Sequence, residues 1–302
     1  MSTESGWKSL LSAAATYVVP PVTLYRYGRL LLGMDPPKPD AGFHPKLRDP
    51  EFIQQLTHMV MPLARRYFRL EVTGLEYVPR QGAALLVGNH NGGMQPVDSF
   101  LTVGVILEDQ GFERPVYALG HDYLYREASL ADFLQRVGGL RAHPDAARMG
   151  LDAGGLVLVY PGGDKDTFRP FSMRNRIEFA QRKGFLRIAL SAQVPIVPVV
   201  SVGAHETWVV LTRGEKIAAW LDLKNRLRTE VCPIVFALPT GFTLGFLPYL
   251  PLPAKMDIRF LPPLQWPDGH ERLNDEAFLQ SCYDEVVNTM QQAMDEMVAA
   301  RK

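Results

Sequence analysis

Leu85-Leu-Val-Gly-Asn-His-Asn-Gly-Gly-Met-Gln-Pro-Val-Asp-Ser-Phe100 reads as a strand, a polar turn and the start of a helix. Ala83 to Val87 is apolar throughout, as in a strand covered on both faces. Beyond the turn, Phe100, Leu101, Val105 and Leu107 follow helical spacing. Pro96 suits a first helical turn, where its missing N–H is not needed. Asp98 complements the positive end of the same helix. Gly92 and Gly93 let a ligand approach the main chain closely. Strand-to-helix turns are where open α/β sheets place ligands.

The turn holds one imidazole, His90, and one carboxylate, Asp98. A neutral imidazole accepts a proton from a hydroxyl near pH 7. A carboxylate on its other nitrogen fixes the tautomer and stabilises the imidazolium that forms. Against this stands a locally satisfied loop histidine, with Asp98 serving only as a helix-terminal charge.

Downstream, apolar strands and helical stretches alternate. Val116 to Gly120, Leu156 to Tyr160 and Ile196 to Val202 read as buried strands. Helices are expected through Leu130–Val137, from Pro144 to Leu151, and over about 174–192. Gly138 to Ala142 reads as a turn bearing Arg141. The alternation predicts an α/β fold with a mostly parallel central sheet flanked by helices.

Upstream, residues 51–68 have helical spacing (Phe52, Ile53, Leu56, Met59, Val60, Leu63, Tyr67, Phe68), and 70–78 a short strand and turn. Residues 34–50 form a proline-rich connector, and residues 9–25 carry no charge. Pro20-Pro21 breaks any spanning helix there. Two short helices at a membrane interface, or the same pair packed on the domain, both fit. Residues 1–50 are therefore set apart from a domain over 51–302.

Residues 231–253 are uncharged and hold five prolines. They suit membrane docking, an acyl-groove wall, or an internal covering loop. Asn274 is expected to cap a last helix carrying Phe278, Leu279, Cys282, Val286, Met290, Met294 and Met297 toward the core.

The 302 residues balance 32 Lys and Arg against 32 Asp and Glu, which argues against broad nucleic-acid binding. Cys232 and Cys282 lack metal-ligand or redox-pair spacing and suit two buried thiols in a reducing compartment. A P-loop is excluded, and the lack of a Gly-x-Ser-x-Gly elbow speaks against a serine-nucleophile hydrolase. No His-Glu-x-x-His pair or Cys/His cluster suggests a metal.

The second chemistry-bearing stretch is Tyr160-Pro-Gly-Gly-Asp-Lys-Asp-Thr-Phe-Arg-Pro170. A glycine pair after a strand offers N–H groups to an anion or oxyanion. Arg169, Arg174, Arg176, Arg182, Lys183 and Arg187 add local positive charge suited to a phosphate or coenzyme A diphosphate. A solvated helix face is the alternative.

Four segments in order resemble the glycerolipid acyltransferase superfamily. They are Asn89-His90 with Asp98, Gly-Gly-Leu-Arg141, Tyr-Pro-Gly-Gly-Asp164, and Val194-Pro-Ile-Val-Pro-Val199. The motif core spans 83–204, and the glycine pair is more similar to the branch near diacylglycerol acyltransferases. The family pattern leaves four residues between His and Asp; here seven intervene, and Gln95 takes the usual Asp position. Gly162 replaces the usual Glu after Pro, whose role Asp164 would take over.

The resemblance implies transfer of a fatty acyl group from acyl-CoA (or an acyl carrier protein) to a glycerolipid or lysophospholipid hydroxyl, with no bound cofactor. His90 would be the base and Asp98 its orienter, with no acyl-enzyme. Asn89, Gly162, Gly163 and Asp164 would border the substrate, and Arg141, Arg169 and Arg176 would hold phosphate. The protein would be peripheral or monotopic on the cytoplasmic face of a membrane. Alternatives are acylation of another lipid-like alcohol, such as a glycolipid or wax alcohol, and a non-catalytic lipid-binding protein of the same fold.

Overall fold

The computed structural model describes residues 40–90, 96–245 and 249–301. The expected N-terminal helical element, Gly92, Gly93 and Gln95 lie outside them. The described elements are, in order, α1 (Pro50–Tyr67), β1 (Glu71–Thr73), β2 (Ala84–Gly88), α2 (Val97–Gln110), β3 (Val116–Gly120), α3 (Ala128–Arg136), β4 (Gly139–Arg141), α4 (Pro144–Asp152), β5 (Leu156–Val159), α5 (Gly163–Thr167) and α6 (Gly184–Ala192). There follow β6 (Ile196–Val202), β7 (Val209–Thr212), α7 (Glu215–Trp220), α8 (Leu223–Leu227), β8 (Ile234–Ala237), β9 (Gly241–Leu244), β10 (Asp257–Phe260) and α9 (Glu276–Ala300).

Seven strands form one sheet in the order β1-β10-β6-β2-β5-β3-β4. All pairs from β6 to β4 are parallel. At the other edge β10 runs antiparallel to β6, and β1 pairs parallel to β10. The mostly parallel α/β sheet expected from the alternation is what the chain forms.

Alternation along β2 builds both layers at once. Leu85 and Val87 point into a core with residues of α4, α6 and α9. Ala84 and Leu86 point into a second core with residues of α1 and α2. Each Leu or Val so buried contributes about 1.5–3 kcal/mol relative to exposure. The central strand is thereby fixed from both sides, and its carboxyl end carries His90.

Four expectations need correction. The helix over 174–192 is only Gly184–Ala192. Before it, Ala180 and Gln181 take positive φ. Side chains serve that backbone: Gln291 Oε1 accepts the Ile177 N–H (2.8 Å) and Arg169 donates to the Arg174 carbonyl (3.0 Å). The turn at 138–142 contains the edge strand β4, paired with β3. Asp275, not Asn274, caps α9, accepting the Phe278 N–H at 3.0 Å.

Residues 231–253 are not an irregular loop throughout, because β8 and β9 join β7 in a small antiparallel sheet. Its inner face, with Val210, Val235 and Ala237, packs on a minor core. There Trp208 stacks on Tyr249 at 4.8 Å and meets Phe168 edge-on at 5.8 Å.

Candidate active site

The site lies at the carboxyl edge of the parallel strands. Gly88 ends β2, and Asn89 and His90 follow at once. Asn89 is a clamp between strands: its Nδ2 donates to the Ser201 carbonyl (2.9 Å) and its Oδ1 accepts the Ser201 N–H (2.8 Å). Buried and doubly bonded to β6, it sets the main chain under His90 rather than facing a substrate.

The turn from β2 ends at Pro96, the N-cap of α2. Asp98 sits in the first turn of that helix and is fully buried. Its Oδ1 accepts the Ser99 N–H at 2.7 Å, and its Oδ2 lies 2.9 Å from His90 Nδ1. Asp98 therefore partners His90 despite the longer spacing. One face of the ring stacks on Tyr160, centroids 4.2 Å apart and planes 14° apart. Gly88 allows that stack, since a Cβ there would stand 2.6 Å from the Tyr160 ring.

A second carboxylate holds the same residue from below. Asp166, in α5, accepts the His90 main-chain N–H through Oδ2. Its other oxygen pairs with Arg169, and both side chains are fully buried. Burial pushes the Asp166 carboxyl up to about 6, against the pull of Arg169 and the His90 N–H. At neutral pH it is mostly ionised and faces the guanidinium.

Burial opposes charging of the His90 imidazole, but Asp98, by charge and hydrogen bond, and then Asp166 outweigh it. The His90 pKa is raised above the ordinary histidine value. With Nδ1–H donated to Asp98, Nε2 carries the free lone pair. The His90 side chain keeps 17% of its surface exposed. His205, buried close to this network, goes the other way: burial, then Arg169 and His90, hold its pKa well below the usual value.

The other expected residues are not all gathered here. Arg141, at the end of edge strand β4, donates to Asp122 Oδ1 (2.9 Å), and Arg228 pairs with the same carboxylate. Three strand spacings of about 4.8 Å separate β4 from β2, on the order of 14 Å. Arg169 has no exposed surface and is committed to Asp166, so the phosphate role expected of it is not one this arrangement offers. Arg176 is exposed in the irregular stretch before α6.

Gly162 packs against the Glu178 carbonyl and the Asp166 side chain, where a Cβ would collide. Gly163 (φ +53°) donates its N–H to the Tyr160 carbonyl at 3.1 Å, closing the turn rather than offering an oxyanion donor. Asp164 turns away from His90. It accepts from Thr229 Oγ1 (3.1 Å), the Glu230 N–H (2.9 Å) and Arg182 (2.9 Å). Of the remaining expected cations, Lys183 and Arg187 both pair with Glu276, and Arg174 donates to the Phe171 carbonyl (3.1 Å) and lies over the Phe171 ring.

Asp166, not Asp164, thus takes the inward position. Its i,i+3 relation to Arg169 was the sequence signal for it. Among the described residues no cluster of three His, Cys, Asp or Glu side chains could hold a metal.

The dyad has a pH signature. A base must be neutral, so a rate that depends on His90 falls as pH drops through its raised pKa. Asp98→Asn removes the chief cause of that rise. The acid limb of the rate should then move to lower pH, while the maximum falls by about 10²-fold or more because the tautomer is no longer fixed. A pH–rate profile of both proteins checks this; an unmoved limb would show that His90 is not the titrating group.

A family model described as Acyltransferase matches residues 69–202. An uncharacterized protein of Mycobacterium tuberculosis is 30% identical over 259 residues, 84% of this chain and 69% of that protein. A human protein named "DGAT1/2-independent enzyme synthesizing storage lipids" is 26% identical over 156 residues, 52% of this chain and 46% of that one. The crystal structure of the 1-acyl-sn-glycerophosphate acyltransferase PlsC of Thermotoga maritima superposes with a TM-score of 0.53 at 16% identity, covering 98% of this chain and 95% of that one.

Proposed function

Given that the chain belongs to the Acyltransferase family, we propose that it moves a fatty acyl group from acyl-CoA, or an acyl carrier protein, to the hydroxyl of a glycerolipid or lysophospholipid. The observation that carries this reading is the buried Asp98 on His90 Nδ1 at 2.9 Å, which leaves Nε2 as the acceptor. Nε2 takes the hydroxyl proton as the oxygen attacks the thioester carbonyl. The C–S bond then breaks, and the imidazolium returns the proton to the leaving thiolate. General-base help of this kind contributes about 10²–10⁴-fold.

No acyl-enzyme is part of this scheme. The two cysteines are poor candidates for one, since both are buried and Cys282 has its thiol pushed up to about 11. Arg141, about three strands away, suits the far end of a donor as long as coenzyme A better than a group held at His90.

The work would be done at a membrane, peripherally or monotopically, on the cytoplasmic face. Both substrates carry acyl chains, and the free buried thiols fit a reducing compartment. Among the described residues no helix is long and apolar enough to cross a membrane.

Labelled oleoyl-CoA with lysophosphatidate, other lysophospholipids, glycerol-3-phosphate, diacylglycerol and a fatty alcohol tests the reading. Acylation of a glycerolipid acceptor is the expected result. Acylation of the fatty alcohol alone would replace the acceptor class. No product and no CoA release with any acceptor would overturn the catalytic reading in favour of lipid binding alone.

A further inference from the structure

The outer face of the small sheet lacks the polar alternation that antiparallel sheets show toward water. Across β8 and β9, Ile234 faces Leu244 and Phe236 faces Phe242. The two phenyl rings sit 5.2 Å apart, and Phe242 is 74% exposed. Just beyond, Leu238 and Leu250 bridge the chain and are both exposed.

This surface continues onto α1. The Tyr67 hydroxyl donates to the Pro251 carbonyl at 2.7 Å. Tyr67, Leu63 and Met59 form an exposed stripe at i, i+4 spacing, on a different side of the helix from Ile53, Thr57, Met61 and Ala64. The sequence spacing of α1 thus holds two apolar stripes, of which the core covers one.

We propose that the outer face of β8–β9, with Leu250 and the α1 stripe, is the surface on which the protein lies on a phospholipid bilayer. Contiguous exposed apolar area of this kind marks an interaction site. Two features favour lipid over a second copy of the chain. First, the surface leads to the chemistry: Tyr249, beside Leu250, stacks on Trp208, and the Leu252 N–H donates to the Thr207 carbonyl (2.8 Å). Thr207 and Trp208 follow His205 in the loop beside the His90 network. A bilayer on this face therefore lies on the side of the molecule that carries the His90 network, a side that a second copy would cover.

Second, cations border the face. A cavity of about 390 Å³ at its edge is lined by Arg69, Lys255 and Arg301. Lys255 pairs with Glu71 and Asp257, and Arg301 with Glu206 and Asp257, so of these three it is Arg69, resting on the Pro253 carbonyl, that is left for an anionic headgroup. Cationic groups beside an apolar face match anionic headgroups above acyl chains.

The orientation rests on the acyltransferase reading, but the binding surface can be tested without it. The full chain is sedimented with vesicles of phosphatidylcholine containing about a third phosphatidylglycerol. The wild type should bind. Phe242→Asp/Leu244→Asp, at two outward positions, should lower partitioning about tenfold or more, as should Leu63→Asp on α1. Both should keep the wild-type melting temperature and turnover of water-soluble short-chain substrates.

Turnover of an acceptor presented in vesicles should fall with binding. A wild type that does not sediment, variants that bind equally well, or a wild-type dimer that the substitutions dissociate would each overturn the proposal. Binding through this face by a protein that transfers no acyl group would leave the surface standing and remove the acyltransferase reading instead.

Discussion

His90→Gln should lower acyl transfer by about 10²–10⁴-fold, which is about 2.7–5.5 kcal/mol of transition-state stabilisation. Glutamine is the informative replacement because its amide can still donate toward Asp98 Oδ2, now 2.9 Å from the imidazole. Alanine would take one hydrogen-bond partner from a fully buried carboxylate and confound lost chemistry with lost stability. The loss should appear in kcat, since the proton transfer belongs to the transition state, with KM for the donor little changed. Steady-state kinetics beside a thermal melt separates the two effects. A glutamine variant that retains more than a tenth of wild-type kcat would remove His90 from the role of base.

The largest expected loss of stability follows from Arg169→Ala, about 3–5 kcal/mol. Arg169 and Asp166 have no exposed surface, so the substitution leaves an ionised carboxylate in the interior with, among the described residues, the His90 N–H as its remaining partner. Burial has already pushed that carboxyl up to about 6, and the remedy open to the variant is to take up a proton. Urea denaturation should show the drop, and it should shrink at acid pH as Asp166 is neutralised. The double replacement Asp166→Leu/Arg169→Met removes both charges and should recover most of the stability. It should still be slow, because the His90 N–H has lost its acceptor. A double variant as unstable as the single would mean that the two side chains matter for their packing and not for their charge.

The sequence made His90 and Asp98 visible because their chemistry is rare within a strand–turn–helix setting, and the helix start marks the aspartate whatever the count between them. Asp166 was less visible. It and Asp164 flank Lys165, and only the path of the short helix α5 turns one toward His90 and the other toward Thr229 and Arg182. Arg169 looked like an anion binder because positive charge in a neutral chain suggests a ligand; its partner proved to be three residues away.

Apolar periodicity located β2, β5 and β6, since strands covered on both faces carry continuous runs. It overextended α6, because the backbone before Gly184 is satisfied by the side chain of Gln291 and serves that of Arg169, contacts no local pattern encodes. The same periodicity located α1 but could not say which apolar stripe the core would take.

Asp98 belongs to the first turn of α2, behind Pro96, and not to the turn that follows β2. The pairing with His90 is therefore set by where a strand ends and a helix begins, and not by the number of residues between. Lengthening a connection costs little: each doubling of a flexible loop adds about 0.6 kcal/mol of closure entropy, so three added residues cost less than that. A search pattern written with a fixed His-to-Asp gap discards such chains, and when a fixed-gap pattern is the filter, genomes will seem to hold fewer members of this family than they do. A pattern anchored on the helix start, with the gap left free, would retrieve them.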